Sequence, residues 1–231
     1  MRTIGLLGGM SWESTQLYYQ LINTQIRERL GGLHSAKMVL YSVDFAEIEQ
    51  LQHQGDWDAT SVLLCDAAKS LELAGADIIL ICTNTMHLVA DDVKAAVNIP
   101  LLNITEVTGS AIKNTGYNST LLLGTKFTME ANFYTQALQQ HGLSVSIPRS
   151  AEREMLHQVI YTELCNGVVN NASKEKFVRC IEEFASQGVE SVILGCTEIG
   201  LLVSEKDVSI PVFDTTVLHA TAAVDFALTK N

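Results

Sequence analysis

Short, unbroken apolar runs alternate along this chain with longer stretches in which apolar positions return every three or four residues. Residues 3 to 7 (TIGLL) read as a buried strand that breaks at Gly8-Gly9. Tyr18, Ile22, Ile26 and Leu30 then recur at spacings of four, one face of a helix that Ser11 is placed to cap and Gly31-Gly32 to stop. MVLYSV (38 to 43) is a second strand, an Ala/Leu-rich helix over 59 to 74 ends at Gly75, and IILIC (78 to 82) is a third strand. A polar turn, a helix through Val89, Val93 and Val97 and the short strand IPLLN (99 to 103) follow. Strands alternating with helices in this way predict a parallel sheet covered on both faces.

The pattern then restarts. STLLLGT (119 to 125) has the shape of TIGLLGG; a helix with Phe133 and Leu138, the strand LSVSI (143 to 147) and helices over 156 to 164 and 177 to 184 come next. SVILGC (191 to 196) and IPVFD (210 to 214) mirror IILIC and IPLLN, and a last helix runs through Val217, Val224 and Leu228. Gly8 to Gly124 is 116 residues, Cys82 to Cys196 is 114 and Pro100 to Pro211 is 111. Landmarks kept in order at a near-constant offset mark an internal repeat. The predicted fold is therefore α/β, two pseudo-symmetric domains that each hold a short parallel sheet flanked by helices. The first comprises 1–103 plus 210–231, discontinuous because the last helix returns to it, and the second 104–209. A cleft between them is the expected active site, since ligands of parallel sheets sit beyond the carboxyl ends of the strands.

Composition narrows the function. An apolar share of 47 % supports a substantial core. A formal charge of −11, from 26 acidic and 15 basic residues, repels phosphate backbones and anionic membrane surfaces, so neither nucleic acid nor membrane is an expected partner. No apolar run reaches the length of a bilayer span, and no targeting segment is evident. The cysteines at 65, 82, 165, 180 and 196 are odd in number and widely spaced, without CxxC, which points to a reducing, cytoplasmic setting and to no metal site.

Cys82 and Cys196 both close an apolar strand and are both followed by threonine, at equivalent places in the repeat. One cysteine after a strand is usually a small core residue, and Cys65, Cys165 and Cys180, within helical segments, read that way. Two at matched strand ends predict opposed thiols across one cleft, able to take a proton from one face of a carbon and return one to the other. His87 reads either as a neighbour tuning the Cys82 thiolate or as a capping or subunit-contact residue, and His219 as structural or near an interface. Asn103 and Asp214 read as helix caps, or else as residues bonded to the catalytic region.

The segments IGLLGGMS (4 to 11), CTNTMH (82 to 87), GT (124 to 125) with TME (128 to 130) and GCTE (195 to 198) together resemble the aspartate/glutamate racemase superfamily, in its branch of cofactor-independent amino-acid racemases. The resemblance spans nearly the whole chain. It implies two-base racemisation of a small amino acid without pyridoxal phosphate or metal, often in a homodimer, with Cys82 and Cys196 as the acid/base pair. It also implies substrate contacts from Asn84, Thr85, Thr125 and Thr197, from Glu198, and from backbone donors around Met10 and Ser11. Acid-specific members present an arginine after the second strand; here SVDFAEIEQL supplies Asp44, Glu47 and Glu49 and no cation, so the side-chain preference is expected to be broad. Arg149 and Arg153 are the nearest substitutes, or else solvent-facing. The alternatives are a related isomerase or decarboxylase of a small dicarboxylic acid, and a non-catalytic two-lobed binding protein.

Overall fold

A computed structural model describes residues 1–229. Contacts within the chain divide it into two units, residues 1–104 with 219–231 and residues 105–218.

The first unit contains β1 (Ile4–Gly8), α1 (Trp12–Leu30), β2 (Met38–Ser42), α2 (Phe45–Gln54), α3 (Trp57–Leu73), β3 (Ile78–Ile81), a 3₁₀ turn (Thr85–Val89), α4 (Ala90–Ala95) and β4 (Leu101–Leu102). Its four strands are parallel in the order β2-β1-β3-β4. Period-two alternation sends Ile4, Leu6, Ile78, Leu80 and Cys82 to one face, where they pack on Tyr18, Ile22 and Ile26 of α1. Ala220, Ala223, Val224 and Ala227, from the end of the chain, complete that face. Leu7, Ile79 and Ile81 point the other way, against Ile48 of α2, Leu64 and Leu71 of α3 and Val93 of α4. Ser11 caps α1 as the sequence suggests, its Oγ accepting the Ser14 amide at 3.3 Å. The pattern gives no warning of α2: only Ile48 and Gln52 of its ten residues are buried, too few to show a period.

The chain enters the second unit through α5 (Ile104–Thr115) and continues with β5 (Ser119–Gly124), α6 (Lys126–Glu130), α7 (Asn132–Gln140), β6 (Ser144–Ser146), α8 (Ser150–Thr162), α9 (Asn171–Ser186), β7 (Val192–Gly195), β8 (Val212–Asp214) and α10 (Thr215–Leu228). The strand order β6-β5-β7-β8 is that of the first sheet, so the repeat holds in topology as well as in sequence. Leu121, Leu123, Val192, Leu194 and Cys196 share a core with Leu156 and Ile160 of α8 and Phe177 and Ile181 of α9. Leu122 and Ile193 face Ile112, Tyr134 and Leu138 of α5 and α7. Asp214 caps α10, its Oδ1 accepting the amides of Thr216 at 2.8 Å and Val217 at 3.2 Å. Among the described residues no helix is long and apolar enough to cross a membrane.

Candidate active site

In a sheet of order 2-1-3-4 the chain leaves the first strand toward one side and the third toward the other, which opens a crevice at their carboxyl ends. Each unit places its predicted residues just beyond the carboxyl ends of its strands. In the first, Met10 and Ser11 follow β1, and Asn84 and Thr85 follow β3; all four are buried. Gly9 takes a φ of +94°, and a Cβ on it would meet the Val43 carbonyl at 2.3 Å, so this turn admits no side chain. Thr15 binds the turn from inside, its Oγ1 accepting the Gly9 amide at 2.8 Å and donating to the Ser11 carbonyl at 2.9 Å. Ser14 Oγ donates to the Cys82 carbonyl at 3.0 Å and so ties the β1 loop to the Cys-Thr turn. The Met10–Ser11 peptide is cis.

In the second unit Thr125 follows β5, and Cys196, Thr197 and Glu198 follow β7. Thr125 Oγ1 caps α6 by accepting the Thr128 amide at 3.2 Å. The buried Glu198 carboxyl gathers its neighbours: its Oε2 lies 3.0 Å from Cys196 Sγ and accepts Thr197 Oγ1 at 2.7 Å. Burial, with the Glu198 carboxylate second, pushes the Cys196 thiol pKa well above its ordinary value.

The expected two-base arrangement of opposed cysteines is not what the structure presents. Cys82 is fully buried in the core between the first sheet and helices α1 and α10, its sulfur 3.9 Å from the Leu80 carbonyl, and Cys196 packs in the core against α8 and α9. Burial alone pushes the Cys82 thiol far up. No cysteine pair among the described residues is close enough to work from opposite faces of one carbon. The reason is the strand period: each cysteine is the next alternate residue after Ile78 and Leu80, or after Val192 and Leu194, and turns into the same helix-covered face.

The two candidate arginines are engaged within the protein. Arg153 Nε pairs with Glu130 at 2.8 Å and its Nη1 donates to the Pro148 carbonyl at 2.6 Å; the exposed Arg149 lies 3.4 Å from Glu183. The spacing of residues gave no sign that His87 and His219 form a buried pair. His87 Nδ1 is 2.9 Å from the Thr83 carbonyl, and the Ile104 amide donates to its Nε2 at 3.1 Å. His219 Nε2 is 2.9 Å from the Leu102 carbonyl and its Nδ1 is 2.8 Å from the Tyr18 hydroxyl. Burial lowers the pKa of His87 to about 4 and that of His219 to about 3. A lone histidine shortly after a Cys-Thr pair was the available signal; its partners at 104 and 219 are too distant in sequence to read.

Twin parallel four-stranded sheets, with glycine-rich and Cys-Thr turns at equivalent strand ends, define a duplicated two-domain α/β fold. The family described as Asp/Glu/Hydantoin racemase matches residues 7–223, and the chain belongs to it. A Yersinia pestis protein provisionally described as an Asp/Glu racemase is 52 % identical, with 99 % of this chain and 100 % of that one covered and a TM-score of 0.92. An aspartate racemase homologue from Pyrococcus horikoshii OT3 is 40 % identical over 98 % of this chain and 99 % of its own, at a TM-score of 0.84. The broad-specificity amino-acid racemase RacX of Bacillus subtilis (strain 168) is 22 % identical over 96 % of both chains. This kinship supports an isomerase of the racemase type.

Proposed function

We propose that the chain moves the α-proton of a small amino acid without a cofactor, with Cys196 and Glu198 as its proton-handling pair. The observation that carries this reading is the 3.0 Å contact of Cys196 Sγ with the buried Glu198 Oε2 at the end of β7, where Cys196, though packed on α8 and α9, keeps 7 % of its surface exposed and Cys82 keeps none. Held as a thiol, Cys196 is an acid that delivers its proton to a carbanion. In the reverse direction the thiol proton passes to the Glu198 carboxylate, the resulting thiolate takes the α-proton, the electron pair stays on the α-carbon beside the substrate carboxylate, and a water on the opposite face, the proton acceptor of the first direction, returns a proton there. Thr125 and Thr197, beside Cys196 and Glu198 at the strand ends of the second unit, are proposed contacts for the α-carboxylate and amino groups; Asn84, Thr85 and the backbone around Met10 and Ser11 are the matching candidates at the strand ends of the first unit.

A broad side-chain preference fits the engagement of Arg149 and Arg153 with Glu183 and Glu130, and RacX is described as broad in specificity. A homodimer belongs to the same reading, supported by the exposed Leu40 and Tyr41 on the edge strand β2, as does a cytoplasmic setting, supported by five free cysteines.

The test is incubation with each L-amino acid in deuterated water, following α-deuterium and the D-isomer. The wild-type protein is expected to exchange at least one of them, and Cys196→Ser to slow that exchange about 10²- to 10⁴-fold, the usual worth of a positioned acid or base. A folded, reduced wild-type protein that exchanges none of them is not a racemase.

A further inference from the structure

The chain leaves the first unit at Ile104–Thr105 and returns at Leu218–His219. Both crossings are tied to buried imidazoles. The amide of Ile104, the last residue before the first crossing, donates to His87 Nε2, which must therefore offer a lone pair. The proton of a neutral His87 is then on Nδ1, where it donates to the Thr83 carbonyl at 2.9 Å. His219, the first residue after the return, has the opposite tautomer. Its Nε2 faces the Leu102 carbonyl, which can only accept, so the proton is on Nε2 and Nδ1 accepts from the Tyr18 hydroxyl. The two rings meet edge to face, 5.8 Å between centroids.

We propose that His87 and His219, held in opposite tautomers, are positioning residues that fix the Thr83–His87 turn, and with it Asn84 and Thr85, to the two places where the chain leaves and re-enters the unit. His87 spans the turn from Thr83 to Ile104; His219 continues the connection through Leu102 to Tyr18 on α1. Thr83 follows Cys82, whose carbonyl already accepts from Ser14 Oγ of the β1 loop. The turn is thus held from both sides, by α1 through Ser14 and by the crossings through the imidazoles. Buried polar groups in such a network specify one arrangement because a lost partner leaves the other unsatisfied.

Long-range ¹H–¹⁵N spectra of the histidine-labelled protein at neutral pH test the tautomers directly. His87 is expected as the Nδ1–H form and His219 as the Nε2–H form; the same tautomer for both, or an imidazolium, overturns the assignment. Amide hydrogen exchange at Ile104 tests the tie. His87→Asn places its amide near the Nδ1 position and loses Ile104, whereas His87→Gln reaches the Nε2 position with a carbonyl that accepts from Ile104. Exchange of the Ile104 amide, normalised to global stability, is expected to rise roughly tenfold in the asparagine variant and to stay near wild type in the glutamine variant. Equal exchange in the two variants overturns the tie. A third arm rests on the proposed proton transfer: for an amino acid whose α-proton exchanges, His87→Asn is expected to raise KM more than it lowers kcat, and His87→Gln to restore it. An unchanged KM in the asparagine variant overturns the positioning role. If no amino acid exchanges, that functional reading fails while the spectra and the Ile104 amide still decide this one.

Discussion

Gly195→Ala isolates the steric demand behind the Gly-Cys-Thr-Glu stretch. Gly195 pairs with Gly124 in the parallel ladder of β5 and β7. A Cβ on Gly195 would lie 2.8 Å from the Leu123 carbonyl oxygen and 2.9 Å from Leu122 Cδ1. Facing it, a Cβ on Gly124 would lie 2.8 Å from the Gly195 carbonyl. The nearest obstacle is backbone on a neighbouring strand, which cannot swing aside as a side-chain tip can. Overpacking of this kind costs about 1–3 kcal/mol. In a protein of this size each kcal/mol lowers Tm by about 2–4 °C, so a fall of about 2–12 °C is expected. Far-UV circular dichroism is the suitable probe, because Trp12 and Trp57 both belong to the first unit and their fluorescence would miss the second. The strand end also carries Cys196, so α-deuterium exchange by the folded variant is expected to fall by about 10²-fold, as misplacement by an ångström does elsewhere. A melt within 1 °C of wild type, about the resolution of the measurement, would show that the strand ends do accept a methyl group and that the close-packing argument is wrong.

Two further outcomes follow from charge. His87 and His219 have folded pKa values of about 4 and about 3, below the ordinary value of 6.5, so the unfolded chain binds more protons on acidification. Their contribution is fully present above pH ~6.5 and is lost toward the folded values, each histidine removing up to about 1.4 kcal/mol per pH unit; Tyr18 and Cys82 are the titratable groups sharing that core. Urea midpoints from pH 7 to 4.5 should fall less steeply in His219→Gln than in wild type, and identical slopes would refute the assignment. Separately, the Glu198 charge helps to hold Cys196 as a thiol, so Glu198→Gln is expected to speed iodoacetamide alkylation of Cys196 at pH 8, measured by peptide mass spectrometry; unchanged or slower labelling would contradict that influence.

Much of the architecture was legible because the strands are buried on both faces and announce themselves as apolar runs. TIGLL and STLLLGT, IILIC and SVILGC mark β1, β5, β3 and β7, and Ser11 and Asp214 cap helices as their types suggest. The edge strands are harder: β4 has two ladder residues and β6 three, fewer than their apolar runs imply. The helix expected through Val89, Val93 and Val97 divides into a 3₁₀ turn and the six-residue α4, both of which bury a valine. The matched cysteines were correctly placed at the strand ends. Their direction was not, because a side chain's face follows from counting in twos along the strand, whereas position at the strand's carboxyl edge gives no face. Glu198 was recognisable as a polar neighbour, but its 3.0 Å approach to Cys196 depends on how the turn folds back and has no sequence period.

The return of the last helix has a consequence for biosynthesis. Ala220, Ala223, Val224 and Ala227 close the core over Ile4, Leu6, Ile78 and Leu80, so one side of the first sheet is covered only by α1 until residues 220–227 have been made. Residues 105–218 are contiguous and wait for nothing downstream. On a ribosome adding roughly 5–20 residues per second, the segment translated second is the one able to finish folding first, while the opening hundred residues keep part of their apolar face open for the last helix.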